Sequence, residues 1–83
     1  MKRKMTIFLK AGGQLRAMLK PDIDHYTRKV EIDGGKTIGE ILNDISLDPA
    51  YVALIYVDGK MKDLSFKPSN GQTITLQPPV SGG

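Results

Sequence analysis

The chain has 83 residues, a formal net charge of +3, 25% charged residues and no cysteine. This length allows one small domain, and a domain of about this size buries only about 60% of the surface its unfolded chain exposes. Disulfides, thiolate catalysis and cysteine-ligated metals are therefore excluded, and an enclosed active site in a single copy has little room.

Lys2, Arg3 and Lys4 form a small basic cluster. Such clusters are usually solvated chain ends, and binding of RNA or single strands would interleave aromatics with the basic residues. The aromatics here are few and follow no such pattern. "MKRKMTIFLK" begins like an export signal, but its apolar run spans only residues 5–9 before Lys10 interrupts it. That is too short for a signal, and no segment approaches transmembrane length. The expectation is a cytoplasmic protein that binds neither nucleic acid nor membrane.

Met5, Ile7 and Leu9 alternate with Thr6 and Phe8, which predicts a first strand. "AGG" at residues 11–13 breaks it. Residues 14–24 read as a loop or wide hairpin connection, although "LRAML" has the makings of a short helical turn that Pro21 would close. "HYTRKVEI" predicts a second strand, with Tyr26, Arg28, Val30 and Ile32 on one face and Thr27, Lys29 and Glu31 on the other. "DGG" at residues 33–35 then turns the chain.

The strongest helix signal is "KTIGEILNDISLDP". Thr37 and Glu40 have the spacing of a capping box. Ile38, Ile41, Leu42 and Ile45 form one apolar stripe. Gly39 weakens such a helix by roughly 1 kcal/mol relative to alanine, and Pro49 blocks its continuation. A third strand is predicted over residues 51–57, apolar on both faces, so that it is either covered on both sides or awaits a partner on one. Asp58-Gly59 is a two-residue hairpin signal. Leu64 and Phe66 are expected to plug the core from an irregular segment. Asn70-Gly71 turns the chain once more, and "QTITL" predicts a last strand with Ile74 and Leu76 inward. Pro78 and Pro79 end the ladder.

The predicted order is strand, strand, helix, strand, short strand, strand, without repeats or low-complexity segments. One main helix on one face of a mixed four- to five-stranded sheet, with the first and last strands parallel at its centre, is an α+β layer solution of β-grasp type. The expected division is a β-grasp domain over residues 1–77 and an extended, flexible tail over residues 78–83.

Three motifs compete for chemistry. "GGKT" at residues 34–37 imitates the end of a phosphate-binding loop, but that motif demands a glycine where Val30 stands; a glycine turn followed by an N-cap accounts for every residue. His25 is the single histidine and lacks the companions that a metal site or a nucleophile needs, so no metal site is expected. Phe8, Leu54 and Tyr56 would share the outer sheet face if Met5, Ile7, Leu9, Ile55 and Val57 face the helix, forming a docking surface. Short strands that are apolar on both sides also permit the reverse assignment.

The tail "QPPVSGG" leaves a strand, is stiffened by Pro78 and Pro79, passes Val80 and Ser81, and ends in Gly82 and Gly83. Polyproline geometry followed by glycine gives a slim, extended segment. Seven residues reach roughly 20 Å at about 3.3 Å each, far enough to enter a neighbour's active-site channel. A frayed end is the plainer account of such a segment.

The strand order joined to "NGQTITLQPPVSGG" over residues 70–83 resembles the sulfur-carrier proteins of MoaD/ThiS type. These are ubiquitin-like β-grasp proteins such as the small subunit of molybdopterin synthase and the thiamine-pathway carrier. Pro78, Pro79, Val80, Gly82 and Gly83 match the tail pattern of the molybdopterin branch. The resemblance implies that a ubiquitin-activating-like adenylyltransferase, using ATP and Mg2+, adenylates the Gly83 carboxylate. A persulfide donor then supplies sulfur to make a thiocarboxylate. Molybdopterin synthase large subunit or thiazole synthase would accept that sulfur, with Pro78, Pro79, Val80, Ser81 and Gly82 entering the partner. No cofactor would be bound by the carrier itself. A tag conjugated to proteins through Gly83 and a non-covalent interaction module are the alternatives. In the molybdopterin branch the segment after the first strand usually forms a helix; here the corresponding stretch reads as a longer hairpin.

Overall fold

The computed structural model describes residues 4–79. Five strands form one sheet: β1 (Lys4–Ala11), β2 (Thr27–Asp33), β3 (Leu54–Val57), β4 (Lys60–Lys62) and β5 (Thr73–Gln77). Their spatial order is β2-β1-β5-β3-β4. β1 and β5 run parallel at the centre, and every other neighbouring pair is antiparallel. This is the β-grasp arrangement read from the element order.

The alternation of β1 holds. Ile7 and Leu9 are fully buried, and Met5 packs against the same core. Ile55 and Val57 of β3 and Ile74 and Leu76 of β5 join them, so one sheet face is dry and the other is open. Helix α2 (Ile38–Asp44) covers the dry face with Ile38, Ile41 and Leu42. Its capping box is complete: the Glu40 N–H donates to Thr37 Oγ1 at 3.2 Å, and the Thr37 N–H donates to Glu40 Oε1 at 2.9 Å.

Four expectations are corrected. Residues 14–24 are not all loop, because Gln14–Leu19 forms a helix, α1, whose Leu15 and Leu19 are fully buried in the same core. Their i, i+4 spacing puts both on one face, and Lys20 closes the helix in the left-handed conformation with Pro21 next. The departure expected in this segment is therefore absent. The third strand is shorter than expected, because Pro49–Tyr51 forms a 3-10 turn, with the Asp48 carboxylate accepting from the Ala50 N–H. Leu64 does not plug the core: its side chain is 39% exposed while its carbonyl accepts from the Gly39 N–H at 2.9 Å. Phe66 does pack against the core, and its carbonyl accepts from the Ile38 N–H. These two carbonyls satisfy donors of the first helical turn that have no intrahelical partner. Finally, Tyr26 precedes β2 and is exposed, whereas Thr27 is buried although it belongs to the opposite face. The 20–26 loop folds over Thr27, whose carbonyl accepts from the N–H groups of Asp22 and Ile23.

Among the described residues, no helix is long and apolar enough to cross a membrane.

Candidate functional site

Strand β5 sets the geometry. It is the middle strand of the five, held by β1 on one side and β3 on the other. Its last carbonyl, on Gln77, accepts from the Ala53 N–H at 2.8 Å. Pro78 follows without an N–H and therefore cannot extend the ladder. Pro78 is half-buried and Pro79 is exposed. The remaining residues expected to form the tail site, Val80, Ser81, Gly82 and Gly83, lie outside the described residues.

A pocket of about 340 Å³ opens at this rim, between Lys10, Gly12, Tyr26, Thr75 and Gln77. The Arg16 guanidinium lies 5.7 Å from the centre of the Tyr26 ring, a cation–π contact that holds both side chains beside the tail's exit. The Tyr26 N–H donates to the Asp24 carboxylate at 2.8 Å. This bond, reinforced by the Thr27 side chain, holds the Asp24 carboxyl below its ordinary pKa.

The open sheet face carries the expected docking residues. Phe8 stands opposite Thr73 and Lys29, Tyr56 opposite Thr75, and Leu54 opposite Gln77. Directly paired residues share a face, so Phe8, Leu54 and Tyr56 lie on one surface. They are not contiguous in the strand order, since β5 with its threonines runs between Phe8 and the other two. Leu54 is 37% exposed, and Phe8 and Tyr56 are half-buried.

Met61 was missed. It pairs with Tyr56 and is 63% exposed, which makes it the most open large apolar side chain on the sheet. The hairpin signal held the information: a two-residue Asp58-Gly59 turn pairs Val57 with Lys60 and hence Tyr56 with Met61. Both turn residues have positive φ, 53° and 79°, as a type I′ turn requires. Leu54, Met61 and Leu64 border a groove of about 580 Å³ at this edge of the sheet.

The competing motifs have structural roles. In "GGKT", Gly35 turns the chain at a φ of 91°, Thr37 caps α2, and the Lys36 ammonium pairs with the Asp44 carboxylate. His25 is exposed and meets the edge of Tyr26. Among the described residues, no three metal-ligating side chains converge.

No family model and no curated protein matches the sequence. Solved structures do match in three dimensions. SAMP1 of Haloferax volcanii, a small archaeal modifier protein, is 23% identical with a TM-score of 0.69, over 94% of this chain and 99% of that one. The Haloferax volcanii protein HVO 2177 is 15% identical with a TM-score of 0.75, over 96% of this chain and 88% of that one. A candidate molybdopterin converting factor subunit 1 from Pyrococcus furiosus is 14% identical with a TM-score of 0.68, over 92% and 99%. At these identities the likeness is one of fold, and this chain has the ubiquitin-like β-grasp fold.

Proposed function

We propose that this protein is a sulfur carrier whose Gly83 carboxylate is the working group. A ubiquitin-activating-like adenylyltransferase, with ATP and Mg2+, joins AMP to that carboxylate and releases pyrophosphate. The terminal sulfur of a persulfide donor attacks the acyl carbon and AMP leaves; a thiol then splits the sulfur–sulfur bond, leaving the thiocarboxylate. Adenylation turns an unreactive carboxylate into an activated acyl group, the logic of covalent catalysis in general. The carrier contributes reach and docking, and its partners contribute catalysis. Molybdopterin synthase large subunit is favoured as acceptor by the two prolines, with thiazole synthase next.

One observation carries the reading. The central strand of the sheet runs directly into Pro78 and Pro79, so the segment that would be charged starts from a strand paired on both sides. The open sheet face with Phe8, Leu54, Tyr56 and Met61 lies beside this exit and supplies a surface on which a partner can rest. The fold likeness to a candidate molybdopterin converting factor subunit supports the same reading.

A second reading shares the first step. The likeness to a small archaeal modifier protein favours a tag in which a lysine amine, rather than sulfur, attacks the Gly83 adenylate. ATP–pyrophosphate exchange by the adenylyltransferase of the same cells tests what both readings share. Exchange should require this protein and should vanish when Gly83 is deleted; undiminished exchange with the deleted form refutes both. Higher-mass conjugates on lysines, detected by immunoblot, then separate tag from carrier.

A further inference from the structure

Because β1 and β5 are parallel, both chains emerge at the same rim of the sheet, side by side. Ala11 stands opposite Leu76, and two residues further along each strand lie Gly13 and Pro78. One chain must turn aside there to begin α1, while the other continues outward as the tail. Gly13 makes the turn with φ 59° and ψ −136°, a conformation open to glycine and strained for any L side chain. Its bare α-carbon faces the proline: a β-carbon added there would sit 3.8 Å from Pro78 Cγ. Pro78 is half-buried on this seat, and the next residue, Pro79, is already exposed. Gly12 differs on both counts, with no strained φ and nothing within 4 Å of an added β-carbon.

We propose that Gly13 is a positioning residue. Together with Pro78 it forms a seat that sets the direction in which the chain leaves the sheet through Pro78 and Pro79. This rests on the carrier reading and deepens it. The physical basis is preorganisation. Pro78 has a fixed φ, so a contact on its ring narrows the directions open to the chain that follows. A tail aimed before encounter loses less freedom on threading. The "AGG" stretch thus has a purpose that the sequence showed only as a break in β1.

The test compares the full-length protein with Gly12→Ala, Gly13→Ala, Pro78→Ala, the Gly13→Ala/Pro78→Ala pair and a Gly83 deletion. The assay is ATP–pyrophosphate exchange with the adenylyltransferase of the same cells. Losing preorganisation is a loss of binding, so Gly13→Ala and Pro78→Ala should raise the KM for the carrier about tenfold while kcat at saturation stays within about twofold. Gly12→Ala leaves the strained turn intact and should raise the KM less than Gly13→Ala does, and the pair should be no worse than its more severe single change. A nuclear Overhauser contact between the Pro78 ring and the Gly13 α protons should be present in the parent. Should Gly13→Ala fail to fold, Pro78→Ala and the Overhauser contact decide. An unchanged KM for Pro78→Ala, a loss expressed in kcat, or the absence of that contact overturns the seat. Exchange that survives deletion of Gly83 overturns the carrier reading instead.

Discussion

Thr37 closes the start of α2 through two reciprocal bonds with Glu40, and the neighbouring Gly39 admits the 63–66 segment to the same turn. Removing the cap hydroxyl in Thr37→Ala should lower stability by about 1 kcal/mol in urea unfolding. Gly39 looked like a pure weakness in the sequence. In the fold, an added β-carbon would lie 3.5 Å from both the β-carbon and the carbonyl oxygen of Leu64, an ordinary contact. Gly39→Ala should therefore change stability by less than about 1 kcal/mol, its helix gain set against a slightly crowded loop. Gly39→Val should be worse than Gly39→Ala, because its branches push the 63–66 segment away from the helix.

The pH dependence belongs to the same scale. Glu40 is held below its ordinary pKa by the Thr37 N–H and hydroxyl, and Asp63 by the Ser65 hydroxyl and N–H. Asp24 is held low by the Tyr26 N–H and the Thr27 side chain. A carboxyl whose folded pKa is lowered adds stability that is present above its unfolded value and is lost as pH falls through the folded value. The urea midpoint should therefore be flat from pH 7 to 5 and decline below about pH 4. Glu40→Gln keeps the capping geometry but cannot titrate, so its decline should be shallower than the parent's.

At the scale of elements, α1 was legible only in part. Leu15 and Leu19 have helical spacing, but six residues offer a single repeat of the pattern, and Gly12-Gly13 in front of them reads as a loop. The cap is a backbone turn rather than a polar side chain, so no N-terminal signal exists to be read. Leu19→Ala measures the difference. A buried leucine in the common core should cost about 2–5 kcal/mol, whereas a leucine in an exposed connection would change little. β3 was read too long for the converse reason: Tyr51, Val52 and Ala53 are apolar, but Pro49 and the Asp48 cap put Tyr51 into a 3-10 turn that Val52 closes, and the strand begins only at Leu54. The 20–26 loop also does more than connect. β2 is an edge strand, and the Asp22 carboxylate accepts from the Lys29 N–H at 2.9 Å on its outer side. Capping an edge in this way discourages pairing with another chain. Asp22→Ala should raise self-association, measured by light scattering at high concentration, with little change in the circular dichroism spectrum.

For the molecule as a whole, the sheet order and the helix over the dry face were readable because β1, α2 and β5 carry clean periodicities and turn residues between them. The outer sheet face was readable only as one of two alternatives, since β3 is apolar on both sides; burial of Ile55 and Val57 puts Leu54 and Tyr56 on it. What an isolated domain of this fold does is not written in the fold, because one scaffold hosts many functions.

The most direct measurement is the intact mass of the protein after incubation with the adenylyltransferase of the same cells, ATP, Mg2+, a persulfide donor and a thiol that splits the acyl disulfide. Replacing one carboxylate oxygen by sulfur through the acyl adenylate should add about 16 Da to the full-length chain and nothing to the chain lacking Gly83. An unchanged mass, under conditions where that adenylyltransferase charges another carrier, would contradict the account.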